Sequence, residues 1–170
     1  QSDLIAMTRA LIHRGPDAEG FHIDAEQSVF LGHRRLSIRD TVGGAQPMWN
    51  EDHTVCIIFN GEIYNHVELR QELTRHGHVF RSSHSDTEVL VHGYEQWGAE
   101  LPVRLNGMFA FSIFDAKQRR LLLARDRFGE KPLYYYSAKG LFAFASELQA
   151  IVRHSAIAAK PSVAALRKFF

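Results

Sequence analysis

In the run GMFAFSIFD, residues 107–115, apolar side chains fill both alternating sets: Phe109, Phe111 and Ile113 on one, Met108, Ala110 and Phe114 on the other. Successive side chains of a strand point to opposite faces, so neither face of this one can be left in water. Whatever the chain folds into must cover a sheet on both sides. RRLLLARD (119–126), PLYYYS (132–137) and LFAFAS (141–146) continue a ladder of short strands with turn signals between them, and connections such as DAKQRR suit antiparallel pairing. FHIDA (21–25), SVFLGHRRLSI (28–38) and VCIIFN (55–60) add further strands. The last of these reads as ending at the turn-forming pair Asn60-Gly61. Helical patterns bracket the strands without a regular βαβ alternation. They are QSDLIAMTRALIHR with Ser2 or Asp3 as cap, a segment over about 65–76, SDTEVLVHGYEQWG (85–98), ELQAIVRH, and a start in PSVAALRKFF. Ser85 and Glu88 have the spacing of a capping box. An α+β sandwich, with antiparallel sheets inside and helices outside, satisfies these patterns together.

At 170 residues and 45% hydrophobic content the chain can bury one full core. Twenty Lys+Arg against 19 Asp+Glu leave a net charge of +1, scattered along the chain, which argues against a nucleic-acid footprint or a polybasic membrane patch. The longest apolar stretches, VCIIF and LFAFA, fall far short of the roughly 18 residues that span a bilayer. Cys56 is the single cysteine; it excludes an intrachain disulfide and fits a reducing, cytoplasmic setting. His76 and His78 lie at a helix C-terminus, where the dipole accounts for them, and have no Cys or Asp partner at ligand spacing, so no metal site is expected. Gly43-Gly44 has no strand-loop-helix context for phosphate.

Chemistry concentrates in HRGPD (13–17), LGHRRLSI (31–38), FNGEIYN (59–65) and SDTE (85–88). Taken singly, each has a plainer reading: a turn, a surface charge on an edge strand, another turn, and a helix cap. In this order and with these flanks, they resemble the class II, N-terminal-nucleophile glutamine amidotransferase domain of glutamine-hydrolysing asparagine synthetases. The resemblance runs on through RLNGMFAFSIFD, LARDRFGEKPLYY and FASELQAI and covers nearly the whole chain. It implies a four-layer αββα sandwich and assigns roles. Arg35 would bind the α-carboxylate of glutamine through two parallel N–H donors, and Asp86 its α-ammonium. Asn60, through its side-chain amide, and Gly61, through its backbone N–H, would form the oxyanion hole. Glu62 and the backbone near Ile38 and Arg39 would line the same pocket. His13, Arg14 and Asp17 look structural, and Tyr64 and Asn65 would fix the loop.

The family's nucleophile is an N-terminal cysteine whose own α-amino group acts as base, and no cysteine precedes the first helix. Cys56 cannot replace it: four strand residues put it roughly 13 Å from Asn60 at about 3.3 Å per residue. The expectation is therefore that residues 1–155 form an amidotransferase domain without its N-terminal catalytic strand and are inactive alone. Residues 156–170 would lead into a synthetase domain. That domain, absent from these residues, would bind ATP and Mg2+ and amidate aspartate; the amidotransferase domain itself needs no cofactor. Partners would be glutamine, the synthetase domain and, in the intact enzyme, a second copy in a homodimer. A non-catalytic scaffold of the β-lactam-forming type, or an amidotransferase with another carboxylate acceptor, are the alternatives.

Overall fold

The computed structural model describes residues 1–36, 44–160 and 162–169. Its elements run α1 (Ser2–Arg9), β1 (Ala18–Asp24), β2 (Val29–Arg35), β3 (Met48–Trp49), β4 (Val55–Ile63), α2 (His66–Arg75), α3 (Asp86–Trp97), α4 (Leu101–Arg104), β5 (Gly107–Asp115), β6 (Arg120–Arg125), β7 (Tyr134–Ala138), β8 (Leu141–Ala145), α5 (Leu148–Ile151) and α6 (Val163–Phe169). The central sheet has the order β3-β4-β5-β6, with β1-β2 and β7-β8 as separate hairpins. Every pairing is antiparallel.

The doubly apolar strand explains the layering. Phe109, Phe111 and Ile113 of β5, with Val55, Ile57 and Phe59 of β4, bury one face against Leu69 and Leu73 of α2, Val89 to Val91 and Tyr94 of α3, and Leu101 of α4. Phe114 and Cys56 leave by the other face and meet Leu31 and Val29 of β2 and Phe144 of β8. The far side of the second hairpin packs Ala143 and Ala145 against Ala150 and Ile151 of α5, with Met7 of α1 alongside. Helices, sheet, hairpins and helices thus stack in the αββα order, in an α+β fold.

Three local readings change. Asn60-Gly61 does not end its strand, because β4 runs on to Ile63 in register with Gly107. The two-residue β3, outside any strand expected from the sequence, pairs Met48 with Ile57 and Trp49 with Cys56. Gln1, not Ser2 or Asp3, is the N-cap of α1 and makes no side-chain cap; Asp3 instead accepts hydrogen bonds from the N–H and hydroxyl of Ser155.

Candidate active site

Hydrogen-bond alternation along β4 creates an edge of outward-facing backbone. Phe109, opposite Gly61, gives its N–H to Asp126 Oδ2 and its carbonyl to the Asp126 N–H, both on the β6 side. Gly61 and Phe109 are therefore a non-hydrogen-bonded pair, and the Gly61 N–H points away from β5. Two residues earlier, with the same orientation, Phe59 gives its N–H to Gln46 Oε1 (2.6 Å) and its carbonyl to His33 Nε2 (3.1 Å). Two residues later, the Ile63 N–H goes to Asp86 Oδ2 (3.1 Å). The Gly61 donor stands between two neighbours whose outward N–H groups are each held by a side chain. Glycine is required here, because a Cβ would overlap the Met108 carbonyl oxygen and crowd Phe109 and Phe59.

Asn60 lies on the same face as Ile58 and Cys56, toward the hairpin layer. There a groove of about 630 Å3 separates the two hairpins, lined by Gly32 and His33 of β2, Phe142 and Phe144 of β8, and Asn60 and Ser112 of the central sheet. Ser112 is buried, and its hydroxyl has no hydrogen-bond partner. Burial of His33 depresses its pKa to about 4, so the ring is neutral near pH 7 and donates from Nε2 to the Phe59 carbonyl.

Asp86 opens α3, where Ser85 Oγ caps by accepting the Glu88 N–H at 3.2 Å. Burial raises the Asp86 pKa against the opposing hydrogen bond from Ile63. A desolvated carboxylate at a site edge gains by receiving a cation. The capping box is only half made: the Glu88 carboxylate turns to the N–H groups of Arg81 and Ser82 and to the Ser82 hydroxyl.

Arg34 and Arg35 divide labour by strand alternation. Arg34 is clamped: its guanidinium donates to the carbonyls of Gly15 (2.7 Å) and Pro16 (3.3 Å) and pairs with Glu19 (3.0 Å). The Asp17 N–H meets the Arg35 carbonyl. HRGPD thus braces the end of β2, while His13 and Arg14 both reach Glu147 at the other end of the chain. Arg35 and Glu62 are themselves engaged with the fold.

Asn60, Gly61, Glu62 and Asp86 therefore share one edge, and Arg35 ends the strand whose His33 touches it. Ile38 and Arg39 lie outside the described residues. His33 and Gln46 were not singled out by sequence; His33 sits inside a quoted motif, but Gln46 lies in a loop with no signal of its own. Asn65 fixes the following turn, donating to the Arg104 carbonyl and accepting the Asn106 N–H. Cys56 is fully buried, and burial pushes its thiol up to about 12, so it stays protonated and unreactive.

A family profile described as glutamine amidotransferase domain matches residues 1–170. The chain is 43% identical over 166 residues to asparagine synthetase [glutamine-hydrolyzing] 3 of Bacillus subtilis, covering 96% of this chain and 26% of the relative. It is 46% identical over 153 residues to asparagine synthetase [glutamine-hydrolyzing] 1 of the same organism, covering 89% and 24%. With the Arabidopsis thaliana asparagine synthetase [glutamine-hydrolyzing] 3 it shares 43% over 152 residues, covering 89% and 25%. The chain thus spans about a quarter of the length of these relatives. Among solved structures, the glutamine phosphoribosylpyrophosphate amidotransferase of B. subtilis, complexed with ADP and GMP, superposes with a TM-score of 0.58 at 26% identity, covering 71% of this chain and 28% of that one.

Proposed function

The chain belongs to the glutamine amidotransferase domain family, and from that premise we propose that residues 1–155 are the glutaminase domain of a glutamine-hydrolysing asparagine synthetase, with 156–170 leading into its synthetase portion. The observation that carries this reading is the edge of β4, where the outward Gly61 N–H lies beside Asn60 and two residues from the Asp86-bound Ile63. In this reading Arg35 holds the α-carboxylate of glutamine and Asp86 its ammonium, while Glu62, with the backbone near Ile38 and Arg39, completes the pocket. A cysteine thiolate attacks the side-chain amide carbon, and the oxyanion of the tetrahedral intermediate accepts hydrogen bonds from Asn60 Nδ2–H and Gly61 N–H. The cysteine's own α-amino group, having taken the thiol proton, returns it to the leaving nitrogen, and collapse breaks the C–N bond and releases ammonia. Water then hydrolyses the thioester to glutamate and regenerates the thiol.

The nucleophile in this reading comes from a strand N-terminal to residue 1, seated in the groove between β2 and β8. Its edges would extend the two hairpins into one sheet, and its polar groups would reach the unpartnered Ser112 hydroxyl. In this reading glutaminase activity requires that strand. ATP and Mg2+ belong to the synthetase portion, which amidates aspartate in a cytoplasmic enzyme; a homodimer is part of the same reading and is checked by sedimentation of the intact protein. Among the described residues, no helix is long and apolar enough to cross a membrane.

The test is incubation of the intact protein with 6-diazo-5-oxo-norleucine, followed by the mass of its N-terminal peptide. An adduct on an N-terminal cysteine supports the glutaminase; a different first residue and no adduct make the domain a scaffold. Arg35→Ala should raise the KM for glutamine and spare synthesis from free ammonia, and equal loss of both would remove the assigned role. Asn60→Ala should lower glutamine turnover by about a hundredfold, and unchanged turnover would take it out of the oxyanion hole.

A further inference from the structure

On the opposite side of the central sheet, His78 from the α2–α3 connection meets His92 and Glu95 of α3, with one donor atom from each lying within 4.8 Å of the others. His78 Nδ1 is 3.6 Å and His92 Nδ1 3.0 Å from the same Glu95 oxygen, Oε2. His78 places Nε2 3.2 Å from the Gln96 amide oxygen, which only accepts, so in the neutral ring Nδ1 is a lone pair facing Glu95. His92, 2% exposed, gives its Nδ1–H to Glu95, which leaves Nε2 without a hydrogen-bond partner. That nitrogen lies 3.7 Å from Glu51 Oε1 and 3.9 Å from Glu88 Oε1. One nitrogen of each ring thus faces a carboxylate oxygen beyond hydrogen-bond distance: His78 Nδ1 toward Glu95, and His92 Nε2 toward Glu51 and Glu88.

We propose that His78 Nδ1, His92 Nδ1 and Glu95 form a site for one divalent transition-metal ion of the Zn2+ class. Two imidazoles and a carboxylate are a borderline donor set suited to Zn2+. Tetrahedral bonds of about 2.0–2.1 Å put ligand atoms roughly 3.4 Å apart, between the 3.0 and 3.6 Å separations here. Binding moves the His92 proton from Nδ1 to Nε2, a tautomer change that releases no proton, and the new N–H faces Glu51 and Glu88. Gln96 and the metal then hold the two nitrogens of His78, and the metal holds His92 Nδ1 while its Nε2–H points at Glu51 and Glu88, 3.7 and 3.9 Å away. Asn50 Nδ2, 2.8 Å from Glu95 Oε1, already orients the carboxylate. The fourth position is left for water. Such an ion would tie the α2–α3 connection to the helix that Asp86 begins.

The experiment is calorimetric titration of chelator-stripped protein with Zn2+ alone, paired with thermal melting. The expected result is one saturable equivalent and a rise in Tm that EDTA reverses. His78→Gln and Glu95→Gln should each weaken binding by more than about tenfold, while His76→Gln, changed at an exposed histidine outside the cluster, should bind as the unchanged protein does. Co2+ in place of Zn2+ should show tetrahedral d–d absorption that the Glu95→Gln variant lacks. Absence of saturable binding, or binding undiminished in both ligand variants, overturns the proposal. So does a Tm that rises on acidification without responding to Zn2+, because protons then supply the missing charge.

Discussion

Gly61 and Asp86 are two residues whose substitution separates fold from function. Gly61→Ala drives a Cβ into the Met108 carbonyl and should cost about 1–3 kcal/mol or more, measured by urea unfolding. Asp86→Asn keeps an oxygen to accept the Ile63 N–H while removing a carboxylate whose pKa burial has raised. A raised folded pKa favours the native state only while the group is protonated, and that contribution is lost as pH climbs through it. The amide variant should therefore be at least as stable near pH 7, yet bind glutamine roughly a hundredfold more weakly in the intact enzyme; a KM that does not change would take Asp86 off the ammonium. His33 has the opposite sign. Its pKa is depressed to about 4 by burial, so the stability it contributes is present above the ordinary histidine range and drains away between about pH 6.5 and 4. The stability difference between wild type and His33→Gln should shrink across that window; a constant difference would mean that the ring is not held neutral.

At the scale of elements, strands and helices were legible wherever one period persisted. β5 spans 107–115 as read, and α3 lies within its reading of 85–98. Ser85→Ala should cost about 1 kcal/mol, because its hydroxyl accepts the Glu88 N–H; urea unfolding of that variant measures it. What misled was local chemistry with more than one use. Asn-Gly is a turn signal, but here the glycine serves close approach to β5 and the strand continues. Glu88 has capping-box spacing, but Arg81 and Ser82 offer its carboxylate three donors. Met48-Trp49 is too short a strand to show alternation. His78 lacks partners at ligand spacing because His92 and Glu95 come to it only when the α2–α3 connection folds back. The candidate residues Arg35, Asn60, Gly61, Glu62 and Asp86 were named from motifs in order along the chain. That alternate N–H groups of β4 face a common edge was not legible, since this depends on which neighbour Phe109 chooses.

For the molecule as a whole, the hairpin layer meets the central sheet around Cys56 and Phe114 and parts from it at the groove beside Asn60. A strand supplied there should raise the stability of the amidotransferase fold as well as its activity; a Tm unaffected by the added segment would mean that the groove is occupied in another way. Cys56, buried between the central sheet and the hairpin layer with its thiol pushed up to about 12, reports how often the two layers part. Alkylating reagents at neutral pH can reach it only when β4 comes away from the hairpin layer, so its labelling rate counts openings of the sandwich. Any thiol in the intact protein that labels faster belongs to a different segment, and the ratio of the two rates separates a ready nucleophile from a chain coming apart.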